Sequence, residues 1–462
     1  MRYIQSFQND AAIQGAVDNN LLGHPYIALN DQTGKIDWNS KDYAPVYSAM
    51  PMTIEVISAG TINFGKDSTY ASSIYDKTIE YSLDDGQNWT EYCSSGASLS
   101  IQVSVGNKIQ FRTKGNDDNP YGKEVPAGTG TMRVGHTFGN STAWFKVYGN
   151  LYSMADPTQF EEITIINVNN ANFFACMFQG SSGLTDASNL IMIPNLNPGL
   201  SVQQGASGVY AYMFKDCVNL TRVPKLPAMI LAEDCYARMF QGCTSLVEPP
   251  ELPATTMVKY CYYGMFVGCT SLTRSPLLRA LAPATGCYSY MFQGCTALIT
   301  ISCATTGMTT EDSSNWVSGC TTGGGVLFAR HPASRTWPPS RNNSGMLSNW
   351  QANYLDVNNL DGATMKYGNG STPKAFTQGV LSGDTYVWDF SSSPKTQVFL
   401  IYKGIFQKFD YQVCDGTSCT TQTPANNWGA SGNFTVPSGM VITSAEFTPG
   451  DVPQLKLYTQ AQ

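Results

Sequence analysis

Apolar and polar residues alternate with period two along much of this chain. Between Met50 and Asn150 the segments MTIEVIS, TINFG, KTIEYSL, WTEYC, LSIQVSV and KIQFRTK each put their apolar side chains on one face, with Gly, Asp and Asn between them. Half-buried strands joined by turns have this pattern. Leu83-Asp84-Asp85-Gly86, between Tyr81 and Trp89, marks a hairpin. Six or more short strands in about 100 residues predict an immunoglobulin-like β-sandwich over residues 46–150. From about residue 380 the alternation returns in TYVWDF, TQVFLIYKG, FDYQV, NFTVP and MVITSAEF, which predicts a second β domain within residues 351–462. The stretch before it, DVNNLDGATMKYGNGSTPKAF, is polar and Gly-rich and reads as a linker. At the other end, QSFQNDAAIQGAVDNN predicts a short helix with Ile13 and Val17 one turn apart. PYIALNDQTGKIDWN predicts two short strands around a turn at Asp31–Gly34. Residues 1–45 are too few to hold a core. They form either an attachment or oligomerisation segment or a flexible extension.

The middle of the chain follows a different rule. CYARMFQGCT begins at Cys235, CYYGMFVGCT at Cys261 and CYSYMFQGCT at Cys287, so the step is 261 − 235 = 26 and 287 − 261 = 26. Met-Phe pairs mark five copies, at Met177, Met213, Met239, Met265 and Met291, the first step being longer, 213 − 177 = 36. Trp316-Val317 replaces the pair in a last, atypical copy. A fixed period of this length predicts a solenoid over residues 151–350, with each unit burying its apolar face against its neighbours. Within a unit, Cys-Tyr-x-x-Met-Phe is expected to make one helical turn with Met and Phe inward. Leu246, Leu272 and Leu298 are expected to line short strands about 4.8 Å from their neighbours. Pro249, Pro250 and Pro253 stop any long helix.

Composition narrows the function. The 462 residues are 42% hydrophobic and 13% charged, against about 25% charged for an average globular protein. Such a chain folds, and its surface is built from Ser, Thr, Asn, Gln, Gly and Tyr. A net charge of −7 argues against nucleic acid as partner, because phosphate binding needs a basic stripe. No segment approaches the roughly 20 apolar residues of a membrane span. MRYIQSFQNDAAIQGAVDNN holds no leader-like apolar run, and its Met1 carries the expectation of assembly in a cytoplasm rather than of a trimmed signal.

Of the 13 cysteines, ten lie between Cys176 and Cys320 and most follow the repeat. Beside Met and Phe they read as small, reduced core residues; disulfides along the ladder would need an oxidising compartment. Cys414 and Cys419, in CDGTSC, form either a small disulfide loop or two free thiols. With only His24, His136 and His331 in the chain, no zinc set and no Ser-His or Cys-His pair is expected. Gly128-Thr129-Gly130 lacks a following Lys at P-loop spacing, and Glu161-Glu162 reads as a strand cap. Asp117-Asp118-Asn119 reads as a solvated turn rather than a calcium loop. The expectation is no catalytic residue, no metal, no cofactor and no enzymatic activity. For binding, the candidates are the variable and aromatic residues of the repeated turn: Tyr236, Arg238, Tyr262, Tyr263, Tyr288 and Tyr290. Tyr gives large contact area at low entropy cost. The recurring Tyr212, Tyr236, Tyr262 and Tyr288 read equally as a ladder packed on itself.

The phrases GCTSLVEPPELPATTM and GCTSLTRSPLL, with the closing NWVSGCTTGGGVLF and GMLSNW, resemble BspA-type leucine-rich repeats of Bacteroidetes surface proteins and of phages that infect those bacteria. IEYSLDDGQNWTEY and VGNKIQFR resemble the β domain that often precedes such arrays. The resemblance covers about 300 residues, implies fold more than function, and departs from the bacterial members in the absent export signal. With the short segment PYIALNDQTGKIDW ahead, it is similar to the layout of virion proteins of crAss-like and related Bacteroides phages. It implies a phage structural protein, a head or tail fibre or capsid-surface decoration. Residues 1–45 would attach to other virion proteins, and the array would face a host surface protein or glycan. A homo-oligomer, often a trimer, is implied too. The other reading is a bacterial cell-surface adhesin of the same repeat type.

Overall fold

The computed structural model describes residues 47–66, 78–93, 98–114, 136–155, 174–192, 208–305, 311–320, 362–367, 376–403, 409–426, 432–450 and 452–462, with the short pieces 4–7, 27–30, 35–36, 308–309, 326–329, 351–354 and 405–407 and the single residues 157 and 160. The protein is mainly β, in several sheets, and no α-helix occurs among the described residues.

Near the start, β1 (Ile4–Phe7) pairs in parallel with β2 (Ile27–Asn30), which pairs antiparallel with β3 (Lys35–Ile36). The two short strands expected there are paired, and the turn expected at residues 31–34 lies outside the described residues. The front of the expected helix, Gln5 to Phe7, is strand instead, because parallel pairing with β2 satisfies its backbone. The rest of that helix and the Asp117–Asn119 turn lie outside the described residues.

All of the strands expected before residue 115 are present: β4 (Met52–Ser58), β5 (Gly60–Lys66), β6 (Thr78–Ser82), β7 (Thr90–Cys93), β8 (Leu99–Val103) and β9 (Lys108–Thr113). Short β10 (His136–Thr137) and longer β11 (Trp144–Asn150) follow. Asp84 closes the β6–β7 turn by accepting from the Asn88 backbone N–H at 2.9 Å and from its side-chain amide at 2.6 Å. Two sheets result, β10-β5-β8 and β12-β11-β4-β9-β6-β7, where β12 is Leu184–Ile191. They meet through Phe64, Phe111 and Phe138, whose ring centroids lie 4.5–5.8 Å apart.

β12 belongs to the first repeat unit and pairs in parallel with β11. The sheet therefore runs across residue 150, and one continuous set of buried residues extends from Met52 to Cys320. Further along, β13 (Arg274–Leu278), β14 (Thr300–Cys303), β15 (Val326–Ala329) and β16 (Gln351–Tyr354) form a parallel sheet in chain order, so the sheet of the array reaches past residue 350. Leu272 and Leu298 precede β13 and β14 rather than lining them. Their amides close a turn onto the Cys269 and Cys295 carbonyls, each at 3.1 Å, and Leu246 does the same onto Cys243. No strand follows Leu246, where Pro249, Pro250 and Pro253 remove ladder donors.

The turn block is not a helical turn. Tyr236, Arg238, Phe240 and Gly242 donate their amides forward to the Cys261, Tyr263, Met265 and Val267 carbonyls at 2.7–3.0 Å. The intervening Ala237, Met239, Gln241 and Cys243 donate three residues back, to Asp234, Tyr236, Arg238 and Phe240. Every second amide thus joins consecutive copies, and the others make overlapping turns. A left-handed residue at every fourth position, Asp234 (φ 54), Arg238 (φ 55) and Gly242 (φ 76), makes a continuous α-helix impossible. Met and Phe still point inward: Met239, Phe240, Met265, Phe266, Met291 and Phe292 are fully buried.

Beyond the array stand β17 (Ala363–Lys366), β18 (Phe376–Gln378), β19 (Val380–Ser382), β20 (Thr385–Asp389), β21 (Gln397–Tyr402), β22 (Ile405–Phe406), β23 (Tyr411–Cys414), β24 (Cys419–Gln422), β25 (Ala425–Asn426), β26 (Gly432–Thr435), β27 (Met440–Thr448) and β28 (Gln454–Ala461). They form the sheets β18-β17-β21-β26-β25 and β19-β20-β27-β28-β23-β24 around a second core. The expected linker contains β17, which pairs with both β18 and β21 and buries Ala363 and Met365 completely. The Gly- and Asn-rich flanks hide a strand whose alternation is only four residues long.

Candidate recognition surface

The repeat carries side chains to fixed columns, and each column has one fate. Tyr236, Tyr262 and Tyr288, named above as binding candidates, are 1%, 2% and 1% exposed. Their rings stack with nearly parallel planes at 5.9 and 6.5 Å, and the row starts at Tyr210 rather than Tyr212, because 236 − 26 = 210. A second stack runs Phe178, Phe214, Phe240, Phe266 and Phe292 at 5.5–5.8 Å. Offset stacking of this kind belongs to a core. These three tyrosines are enclosed in the core instead of standing at the surface, and they stack as a ladder. Burial pushes all three hydroxyls well above their usual range.

Cysteines form a third interior column. The thiols of Cys217, Cys243, Cys269, Cys295 and Cys320 donate to the carbonyls of Phe178, Phe214, Phe240, Phe266 and Phe292 at 3.0–3.1 Å. Ten buried cysteines are free, as expected of reduced core residues. Burial pushes Cys235 and Cys320 up to about 12, so these thiols stay protonated and poor as nucleophiles or metal ligands. No cluster of three metal-ligating side chains occurs among the described residues. Outside the array, Cys414 and Cys419 are joined in a disulfide across the β23–β24 hairpin.

The remaining candidates, Arg238, Tyr263 and Tyr290, are half-buried and lie together on the outer side of the turn block. Tyr263 and Tyr290 have ring centroids 5.4 Å apart at 57°. The Arg238 guanidinium sits 5.2 Å from the Tyr263 ring centre, a cation–π distance. Tyr260 meets Tyr263 edge-on at 5.6 Å, and Lys259 lies 5.0 Å from the Tyr260 ring. Tyr212 extends the row beyond Arg238, since 212 + 26 = 238. Arg238 Nη1 donates to Gln241 Oε1 at 3.1 Å.

The backbone under this row is informative. The column Tyr212, Arg238, Gly264 and Tyr290 is left-handed throughout, with φ of 57, 55, 58 and 60. Gly264 shows that the fold accepts glycine there. A side chain at such a φ costs about 1 kcal/mol or more relative to glycine. Tyr212, Arg238 and Tyr290 therefore occupy the column against the local backbone preference. The sequence showed that these positions vary; the sign of their φ was legible only at Gly264.

A fourth column runs up the strand side. Asp186, Arg222, Glu248 and Arg274 alternate in sign, with Arg222–Asp186 at 3.4 Å and Arg274–Glu248 at 2.5 Å. These charges are cross-braces between copies. A small, shallow cleft beside them is lined by Pro249, Pro250, Arg274, Arg279 and Lys403, and its Glu251 pairs with Lys403 at 3.3 Å.

Comparison with protein-family models, with curated proteins and with solved structures finds no match for this chain, so the columns of the array carry the functional argument by themselves.

Proposed function

We propose that the chain is a non-enzymatic virion structural protein, a head or tail fibre or capsid-surface decoration of a Bacteroides-type phage, whose repeat array adheres to the host surface. On this reading the stacked copies are a BspA-like leucine-rich-repeat solenoid and the preceding sheet pair is an immunoglobulin-like sandwich. Residues 1–45 attach a homo-oligomer to other virion proteins, and the array meets a host surface protein or glycan. The observation that carries it is the column of Tyr212, Arg238 and Tyr290, large side chains held where glycine is the cheaper residue. Contacts of Arg238 and Tyr290 with Tyr263 order them into one row, and a contact surface gives a reason for keeping such a row at the surface. No helix among the described residues is long and apolar enough to cross a membrane. The test is adhesion of the purified chain to whole host cells. Wild type binds, and Arg238→Gly with Tyr290→Gly folds normally and does not. Unchanged adhesion in that variant counts against the reading. Mass spectrometry of purified virions tests the location.

The cell-surface adhesin remains the second reading, and the Cys414–Cys419 disulfide favours it, since disulfides persist in oxidising compartments. Recovery of the chain in the envelope fraction of uninfected bacteria, and not in virions, decides for the adhesin.

A further inference from the structure

We infer that the outer row of the array binds a carboxylated pyranose, a sugar unit of uronic or sialic type, with the sugar's apolar face on Tyr263 and Tyr290 and its carboxylate on Arg238. This deepens the adhesion reading and rests on it.

The charges around the row single out Arg238. Lys215 lies 3.6 Å from Asp216, and Lys259 lies 3.6 Å from Glu233, so each of these cations already faces a carboxylate. Among the described residues no carboxylate lies within ion-pair distance of Arg238, and its side chain donates to the neutral Gln241 amide. A guanidinium carries five N–H donors in a planar fork that matches a carboxylate with two parallel bonds. Among the described residues, Gln241 takes one of these donors. The half-buried setting beside an aromatic ring makes a charge-assisted bond there stronger than it would be in open water.

Gly264 shapes the space around it. A Cβ at this position would lie 3.1 Å from Arg238 Cγ and 3.3 Å from Val267 Cγ2, so the missing side chain lets the arginine stem lie across the next copy. That brings the guanidinium to Tyr263. Tyr260, Tyr263 and Tyr290 stand at angles to one another, at 78° and 57°, rather than stacking flat. Tyr263 and Tyr290 are half-buried, so each keeps part of its ring at the surface, and the C–H face of a pyranose is an apolar partner for such a ring. Gln241 and Gln293, in one column two copies apart, flank the row with amide donors and acceptors for ring hydroxyls. A polyphosphate chain needs several free cations in line, whereas among the described residues Lys215 and Lys259 of this row already face carboxylates.

The experiment uses the full chain and three soluble probes: polygalacturonate or polysialate, the methyl ester of the same polymer, and dextran sulfate. Calorimetric titration should show binding to the carboxylated polymers and at least tenfold weaker binding to their esters and to dextran sulfate. Arg238→Gln and Tyr263→Ala should each weaken carboxylate binding at least tenfold, with unchanged circular dichroism, and Arg238→Lys should recover part of it. Equal binding of acid and ester, or of dextran sulfate, overturns the proposal. Adhesion parallels keep the two claims apart. If host-cell adhesion depends on Arg238 but no acidic polymer binds, the carboxylated sugar is refuted, the adhesion reading stands, and a protein or neutral glycan takes its place. If wild type adheres to no host cell, both fall.

Discussion

Single residues in this protein are set by the column they occupy. Tyr236 has a fully enclosed hydroxyl that finds no hydrogen-bond partner. Leaving such a group unpaired costs about 1–3 kcal/mol, so Tyr236→Phe should raise the urea midpoint, corresponding to a gain of about 1 kcal/mol, and leave adhesion unchanged. Loss of adhesion in that variant would show that the interior ladder matters to the outer row. Arg238→Gly and Tyr290→Gly should each hold or raise stability by about 0.5–1 kcal/mol, because glycine relieves the left-handed backbone. Stability and adhesion then move in opposite directions, which a merely structural side chain cannot produce. Asp234 adds a pH dependence. Burial, helped by Glu233 and opposed by Lys259, lifts its carboxyl from 3.8 to about 6 in the folded chain. The folded state therefore binds the proton more tightly than the unfolded state. The protonated carboxyl favours folding fully below about pH 4, and that contribution is lost as the pH rises through about 6. Asp234→Asn should stabilise the chain by about 1–2 kcal/mol at pH 7.5, allowing for partial exposure of the carboxyl, and by nothing at pH 3.5. Asn also tolerates the left-handed φ of 54 found there.

At the scale of the element, the unit is a run of overlapping turns, and its hydrogen bonds go alternately within a copy and between copies. An isolated copy leaves half of these amides without a partner, so neighbouring copies stand or fall together. Met265 lies at the centre of one such junction and is fully buried. Met265→Asp should cost more than about 4 kcal/mol, by placing a charge in an apolar interior. Amide exchange should then rise in the flanking copies around Met239 and Met291 as well as in its own. Met265→Leu, which nearly conserves volume, should cost less than about 1.5 kcal/mol. Exchange confined to the mutated copy would show that the copies are energetically separate.

At the scale of the whole molecule, two large sets of buried residues stand out among the described residues. One joins the first sheet pair to the array, from Met52 to Cys320, and the other lies within Ala363 to Leu457. Calorimetry should resolve two unfolding transitions, with the larger covering both the first sheet pair and the array. The Cys414–Cys419 bridge closes a loop of only a few residues, and loops of that size stabilise by about 2 kcal/mol in the chain-entropy model. Mild reduction should lower the smaller transition and leave the larger one in place. A shift in the larger transition would mean that cysteines of the array are disulfide-bonded, against the free thiols found there.

Much of the fold was readable before the structure. Period-two alternation located β4 to β9 and most of the last domain, because each of those strands has one wet face and one dry face. The 26-residue step located the stacked copies and put Met, Phe and Cys inside, because identical side chains at identical steps pile into columns. Four things waited for the tertiary structure: that Tyr236, Tyr262 and Tyr288 lie inside while Tyr263 and Tyr290 lie outside, that the turn block is not helical, that β17 hides in an apparent linker, and that one sheet crosses residue 150. Each depends on partners far away in the chain. A tyrosine is equally at home in a core ladder and on a contact surface, and a backbone amide has no sequence signal for donating to the next copy rather than to its own turn. Only the stacking of one copy on another decides which face of a tyrosine is dry and which sign a φ must take.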